Sequence, residues 1–253
     1  MSSITIAGIA FGCMFGGALL GAFLRRFLPG HHLSSDSRDV VKLGAGLIAT
    51  QAALVLGLLV SSAKGSFDTM NAGITQAGAR VILLDQVLSR YGAETKPARE
   101  ELRRGITSTV EHIWPKAIAR PGGINAVETA TGTEDIADKL RELSPQTESQ
   151  RLLKAQALQL AVDLSQLRWL LIEQAHGSLP TVFLVVLIFW FATLFATFGL
   201  LTPPNATVMV VMLVCALSVA GGVLLILEMN NPLDGLIKVS GAPLENALDH
   251  LGR

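Results

Sequence analysis

Three stretches of the chain, residues 4–24, 43–63 and 177–227, carry no charged side chain and are built largely of Ala, Leu, Ile, Val, Phe and Gly. A bilayer core of roughly 30 Å takes about 20 apolar residues in a helix. Ile4–Leu24 and Leu43–Ala63 therefore predict one span each. The third stretch is interrupted by Thr202-Pro203-Pro204-Asn205, a turn that no helix carries through. It predicts two spans, Leu179–Leu201 and Thr207–Leu227.

The polar stretch between spans two and three predicts helices only, because no segment alternates apolar and polar residues over a strand length. The second span runs on past the membrane, so that Val41–Arg90 forms about 75 Å of helix at 1.5 Å per residue. Tyr91-Gly92 stops it, and Gly65, Gly73 and Gly78 are positions where it could bend. Lys96-Pro97 opens a second helix, with Pro at a permitted first-turn position and Glu100 and Glu101 in the early turns. Pro115 kinks or ends it, and Pro121–Gly132 reads as a loop. A third helix from about Thr147 to His176 places Leu153, Ala157, Leu160, Leu164, Leu167 and Leu171 at steps of four and three, the seam of a helical bundle.

The resulting fold class is an all-α membrane protein with four spans and a helical extramembrane domain between spans two and three. Residues 1–65 hold the first two spans, 66–176 the helical domain, 177–228 a transmembrane hairpin, and 229–253 a C-terminal tail. Composition sharpens this. Half of the 253 residues are hydrophobic, 16% are charged, and the mean hydropathy is +0.49. Outside the uncharged stretches the charge density is that of an ordinary soluble domain. Twenty basic and twenty acidic residues cancel, which argues against a nucleic-acid partner. Met1-Ser2-Ser3 lacks the positive region of a secretory signal, and the apolar stretch behind it ends in Arg25-Arg26 without a cleavage site, so it reads as a retained span. Cys13 and Cys215 lie in uncharged stretches and make neither a disulfide framework nor a zinc site.

Gly8, Gly12 and Gly16, with Gly17 and Gly21 as a second pair, give the first span small residues at spacing four, which let helix backbones approach closely in lipid. Packing within the chain is the reading adopted, with a contact between copies as the alternative.

Little in the chain suggests catalysis, and we expect no enzyme, no cofactor and no bound metal. Glu173 and His176 stand at i, i+3, half of a di-iron motif that has no second half here. His31-His32 beside Pro29-Gly30 reads as an interfacial turn. No nucleophile elbow, phosphate loop or dinucleotide fingerprint occurs. Nor do the spans hold the buried acid or base expected of a proton-coupled carrier.

Gln51 is the most polar side chain near the middle of a span, and an amide there needs another helix or pore water. Leu54, Leu58 and Ser61 follow it at steps of three, four and three. An apolar ring flanked by polar residues is the layout of a hydrophobic gate. It is equally the layout of a packing seam.

Several segments resemble the bestrophin-like membrane proteins. They are Gly44-Ala45-Gly46-Leu47-Ile48-Ala49-Thr50 with Ala53-Leu54-Val55-Leu56-Gly57-Leu58-Leu59, then Ser61-Ser62-Ala63-Lys64 with Phe67-Asp68. Leu84-Asp85-Gln86-Val87-Leu88 with Arg90-Tyr91-Gly92 follows, and after it Ile113-Trp114-Pro115. The tail adds Asn231-Pro232-Leu233, Gly235-Leu236-Ile237-Lys238-Val239-Ser240 and Ala242-Pro243-Leu244. The resemblance implies a ring-shaped ion channel, a pentamer by family analogy, in the bacterial inner membrane, whose second span lines the pore at an apolar neck. By position, Gln51, Leu54, Leu58 and Ser61 are then the pore-lining residues, and the bilayer, further copies of the chain and inorganic ions its partners. The aromatic and isoleucine neck of bestrophins and their acidic calcium cluster are absent from this chain. The alternative is a non-conducting scaffold or regulatory protein.

Sidedness divides the two lines of reasoning. Arg25, Arg26, Arg38 and Lys42 would place the first loop in the cytoplasm by the positive-inside rule. Lys64, Arg80, Arg168 and Lys238 balance them, and the family arrangement puts the termini and the helical domain there instead.

Overall fold

The computed structural model describes residues 2–28, 35–114, 132–176, 181–203, 205–233 and 235–251. Among these residues the regular structure is helical throughout, with no strand. In chain order the helices are α1 (Ser3–Leu24), α2 (Ser35–Tyr91), a 3₁₀ turn (Ala93–Thr95), α3 (Lys96–Ile113), α4 (Gly132–Glu142), α5 (Glu148–His176), α6 (Thr181–Leu201), α7 (Ala206–Met229) and α8 (Ala242–His250). Four of them, α1, α2, α6 and α7, are long and apolar enough to cross a membrane. The chain forms two compact units, Met1–Gly65 with Ser178–Asn230 and Ser66–Gly177 with Asn231–Arg253.

In the first unit α1 packs against both α6 and α7. Its core is Ala10, Met14, Ala18, Phe195, Ala216 and Ala220, small residues interleaved with a few large ones. The α1–α6 contact is backbone to backbone. A Cβ added at Gly17 would lie 2.7 Å from the Ala192 carbonyl oxygen, and one at Gly21 or Gly199 would overlap the carbonyl of Ala196 or Ala18. Close approach within the chain is therefore the work of Gly17 and Gly21, as expected. Gly8, Gly12 and Gly16 are not part of it, since nothing lies within 4 Å of where their Cβ atoms would be. The loop between the last two spans is fixed at Asn205, whose Oδ1 accepts the Val208 N–H at 2.8 Å and caps α7.

The second unit is a helical bundle. Its core runs through Met70, Ile74, Val81, Leu84 and Leu88 of α2, Leu102, Ile106 and Val110 of α3, and Ala157, Leu164 and Leu167 of α5. Leu153, Leu160 and Leu171 pack against it partly buried, so the expected α5 seam is core. At the end of α2, Gly92 takes φ 137°, a left-handed conformation that a residue with a Cβ avoids. The Thr95 hydroxyl, fully buried, donates to the Leu88 carbonyl at 2.6 Å and ties the 3₁₀ turn back onto α2.

The structure adds to the sequence reading at the start of α2 and in two short helices. α2 begins at Ser35 rather than Val41, because Asp36 suits its first turn and Asp39 pairs with Lys42 at 3.1 Å. As expected, it continues past the membrane run to Tyr91, and the bare faces of Gly73 and Gly78 admit Leu171 and the Pro243 carbonyl. Two short helices, α4 and α8, went unread. Among the described side chains, α4 buries Ile136 and Leu140, too few positions for a periodic signal. α8 buries Leu244 and Ala247 and packs on α3. Residues 29–34 with His31-His32, Pro115 and 121–131 lie outside the described residues.

Candidate functional site

Within the span of α2, burial falls on one side. Ala45, Ala52, Leu59 and Ala63 are buried, at steps of seven, seven and four. Each residue turns a helix by about 100°, so Gln51, Leu54, Leu58 and Ser61 come out roughly opposite that buried line. All four are exposed, Leu54 at 65% and Leu58 at 62%. They share one face and project away from the chain's own core. The same row continues back to Leu47 and Leu43, also exposed, at steps of four. Sequence reasoning missed these two, although the spacing could have found them.

The α2 span stands out among the four. Only 11% of its most apolar window is buried, against 28% in α1 and α7 and 22% in α6. It therefore has the least intrachain packing and the most surface left for lipid, water or another copy. Polar groups on this face differ in their state. The Thr50 hydroxyl donates to the Gly46 carbonyl at 2.9 Å and is satisfied inside the helix. Among the described residues, the side-chain amide of Gln51 has no hydrogen-bond partner in the chain. An unpaired amide costs several kcal/mol in hydrocarbon.

A family model, the Bestrophin-like domain, matches residues 12–244. The chain belongs to the bestrophin-like family. No curated protein and no solved structure matches it. The match begins inside α1 and ends inside α8, so it takes in nearly the whole of both units.

Outside the spans, the bestrophin-like chain concentrates its charge chemistry in the helical unit. Arg99 of α3 grips Asp85 of α2 with two parallel bonds, Nε to Oδ1 at 2.6 Å and Nη2 to Oδ2 at 2.8 Å. That pairing raises the Arg99 pKa above its ordinary value. Glu101 accepts from Lys139 of α4 at 2.7 Å and from Arg104 at 3.0 Å, and Lys139 above all holds its carboxyl below the usual range. Burial raises the Tyr91 pKa, with Glu94 adding to the effect. Trp114 donates its indole N–H to the Val239 carbonyl at 2.8 Å, joining two of the segments that carry the family resemblance.

No group of three or more His, Cys, Asp and Glu gathers among the described residues; Glu173 is exposed, and the side chain of His176 lies outside them. Sequence reasoning also missed Glu228. α7 extends to Met229 and so includes this carboxylate, 5% exposed, one residue beyond the expected end of the span. Cys13 and Cys215 are free and exposed.

Proposed function

We propose that this bestrophin-like chain assembles as a ring of identical copies in the bacterial inner membrane and conducts ions passively along an axial path lined by α2. The observation that carries the reading is the exposed Gln51 amide on the least buried span. A ring in which this face meets water satisfies the amide, whereas a lone chain in lipid does not. Leu54 and Leu58 on the same face then form an apolar constriction that opens by wetting. Gln51 and Ser61 flank it. The helical unit and both termini are assigned to the cytoplasm, in keeping with the family arrangement, and the protein is read as a conductor rather than an enzyme.

A second reading has its own support. The open stripe of Gly8, Gly12 and Gly16 is as fit for close contact between copies as for anything else, and a scaffold held together there would conduct nothing. Purified protein reconstituted in liposomes separates the two. A ring-shaped oligomer with dose-dependent ion flux supports the channel, and an assembled oligomer with no flux for small anions or cations overturns it.

A further inference from the structure

Past the end of α7 at Met229 the chain doubles back instead of running off. Asn230 caps the helix through its N–H. The Gly235 N–H then donates to the Asn231 carbonyl at 3.1 Å, and the Val239 N–H to the Pro232 carbonyl at 3.0 Å. The base of the resulting loop is fixed. Pro232, Leu233 and Val239 are buried, the last two in the core of the helical unit. Trp114 holds the Val239 carbonyl through its indole N–H at 2.8 Å. The place of the tip is therefore set by its base.

At the tip the pattern inverts. Leu236, Ile237 and Lys238 are all exposed. Leu236, at 73%, is the most exposed large apolar side chain described in the helical unit, ahead of Leu152 at 66%. A single exposed leucine is ordinary, but two apolar neighbours on a loop with a fixed base form a knob. The chain itself indicates what covers it. Backbone steps of 3.8 Å together with the Gly235–Asn231 bond keep Leu236 within about 20 Å of Met229, where the span ends. Leu236 stands seven residues from a span end, whereas Leu170, the next exposed apolar residue along the chain, stands eleven before α6. Charge does not oppose a lipid neighbour, because Asp234, which lies outside the described residues, and Lys238 cancel. A lysine beside apolar residues lays its stem along them and keeps its ammonium at the level of the lipid phosphates.

We propose that the loop tip is a membrane contact of the helical unit, with Leu236 and Ile237 seated in the headgroup region of the bilayer that holds the spans and Lys238 among the lipid phosphates. The partner of this surface is the lipid itself, whether or not the protein conducts.

The test uses the full chain in phospholipid nanodiscs, with Cys13→Ala and Cys215→Ala and a nitroxide on Ile237→Cys. Oxygen concentrates in lipid and a nickel chelate stays in water, so the ratio of their collision rates with the label reads its depth. That ratio should exceed severalfold the ratio for a label on Ser149→Cys, an exposed position at the start of α5 in the same unit. Leu236→Asp, or Leu236→Ser should the first not fold, should bring the Ile237→Cys ratio down toward the Ser149→Cys value. A ratio equal to that of Ser149→Cys with Leu236 intact places the loop in water and overturns the proposal. Few collisions with both probes, with broadening between labels, places the tip against a second copy and overturns it as well. So does a high ratio that Leu236→Asp and Leu236→Ser leave unchanged in folded protein.

Discussion

Asp85 on α2 and Arg99 on α3 face each other as a two-pronged clamp, with the carboxylate residue only 6% exposed. A buried pair of this kind stabilises little relative to an apolar pair, but losing one member strands the other in a low-dielectric core. Arg99→Ala or Asp85→Ala is expected to destabilise the helical unit by roughly 3 kcal/mol. The double variant Asp85→Leu/Arg99→Met should recover much of that loss. Thermal unfolding of the four proteins checks this, and a double variant as unstable as the sum of the singles would show that the clamp's strength lies in its charge.

Glu101 gives a pH dependence with a definite sign. Its folded-state pKa lies below the unfolded one because Lys139 and Arg104 favour the carboxylate. The stabilisation is thus fully present at neutral pH and is lost as pH falls below the ordinary glutamate value, about 4.3, through the depressed folded one. Glu101→Gln should remove this part of the acid sensitivity and lower stability at pH 7. Parallel melts between pH 3 and 7 read it directly; curves of identical shape for the parent and the variant would contradict the assignment.

The α1–α6 contact predicts a contrast between the glycines inside it and those on the open side of α1. Gly199→Ala or Gly21→Ala drives a methyl into a backbone carbonyl of the facing helix, which cannot yield as a side chain can. Overpacking of this kind costs about 1–3 kcal/mol, so the thermal midpoint should fall. Gly12→Ala meets nothing within the chain and should leave the fold unchanged. If Gly12→Ala instead lowers the oligomer mass at constant fold, the open stripe is a contact between copies.

What could be read from the sequence follows the strength of each local signal. Four apolar runs near 20 residues, the Gly92 stop and the Lys96-Pro97 start each rest on one dominant physical term, and the helices form there. The α5 seam was legible because six apolar positions repeat along it. α4 and α8 were not, because each shows two buried positions among its described side chains, and so short a periodicity drowns in the charges around them. The stripe of Gln51, Leu54, Leu58 and Ser61 could be drawn from spacing, but that the chain itself leaves it uncovered could not. That fact depends on where α1, α6 and α7 pack. Glu228 was missed because the span was ended at its last apolar residue, whereas the helix hydrogen bonds continue to Met229.

The sharpest prediction concerns that stripe. In the proposed ring, an ion crossing beside Leu54 and Leu58 sheds water against an apolar wall, and loss of hydration in hydrocarbon costs many kcal/mol. Leu54→Ser with Leu58→Ser widens and wets the constriction, so ion flux through reconstituted protein should rise at least severalfold. Gln51→Leu removes the amide that the surrounding water or a neighbouring copy satisfies, and should reduce flux or weaken the oligomer. The exposures of Leu54 and Leu58 mean that neither serine opens a cavity inside the chain, so the monomer's own packing should be untouched. If the face is instead a seam between copies, the serine pair exchanges apolar contacts for unpartnered hydroxyls and the oligomer dissociates at lower temperature with no gain in flux. Flux assays and native mass spectrometry on the same preparation tell these apart. An intact oligomer of the double serine variant with unchanged flux would remove α2 from the ion path.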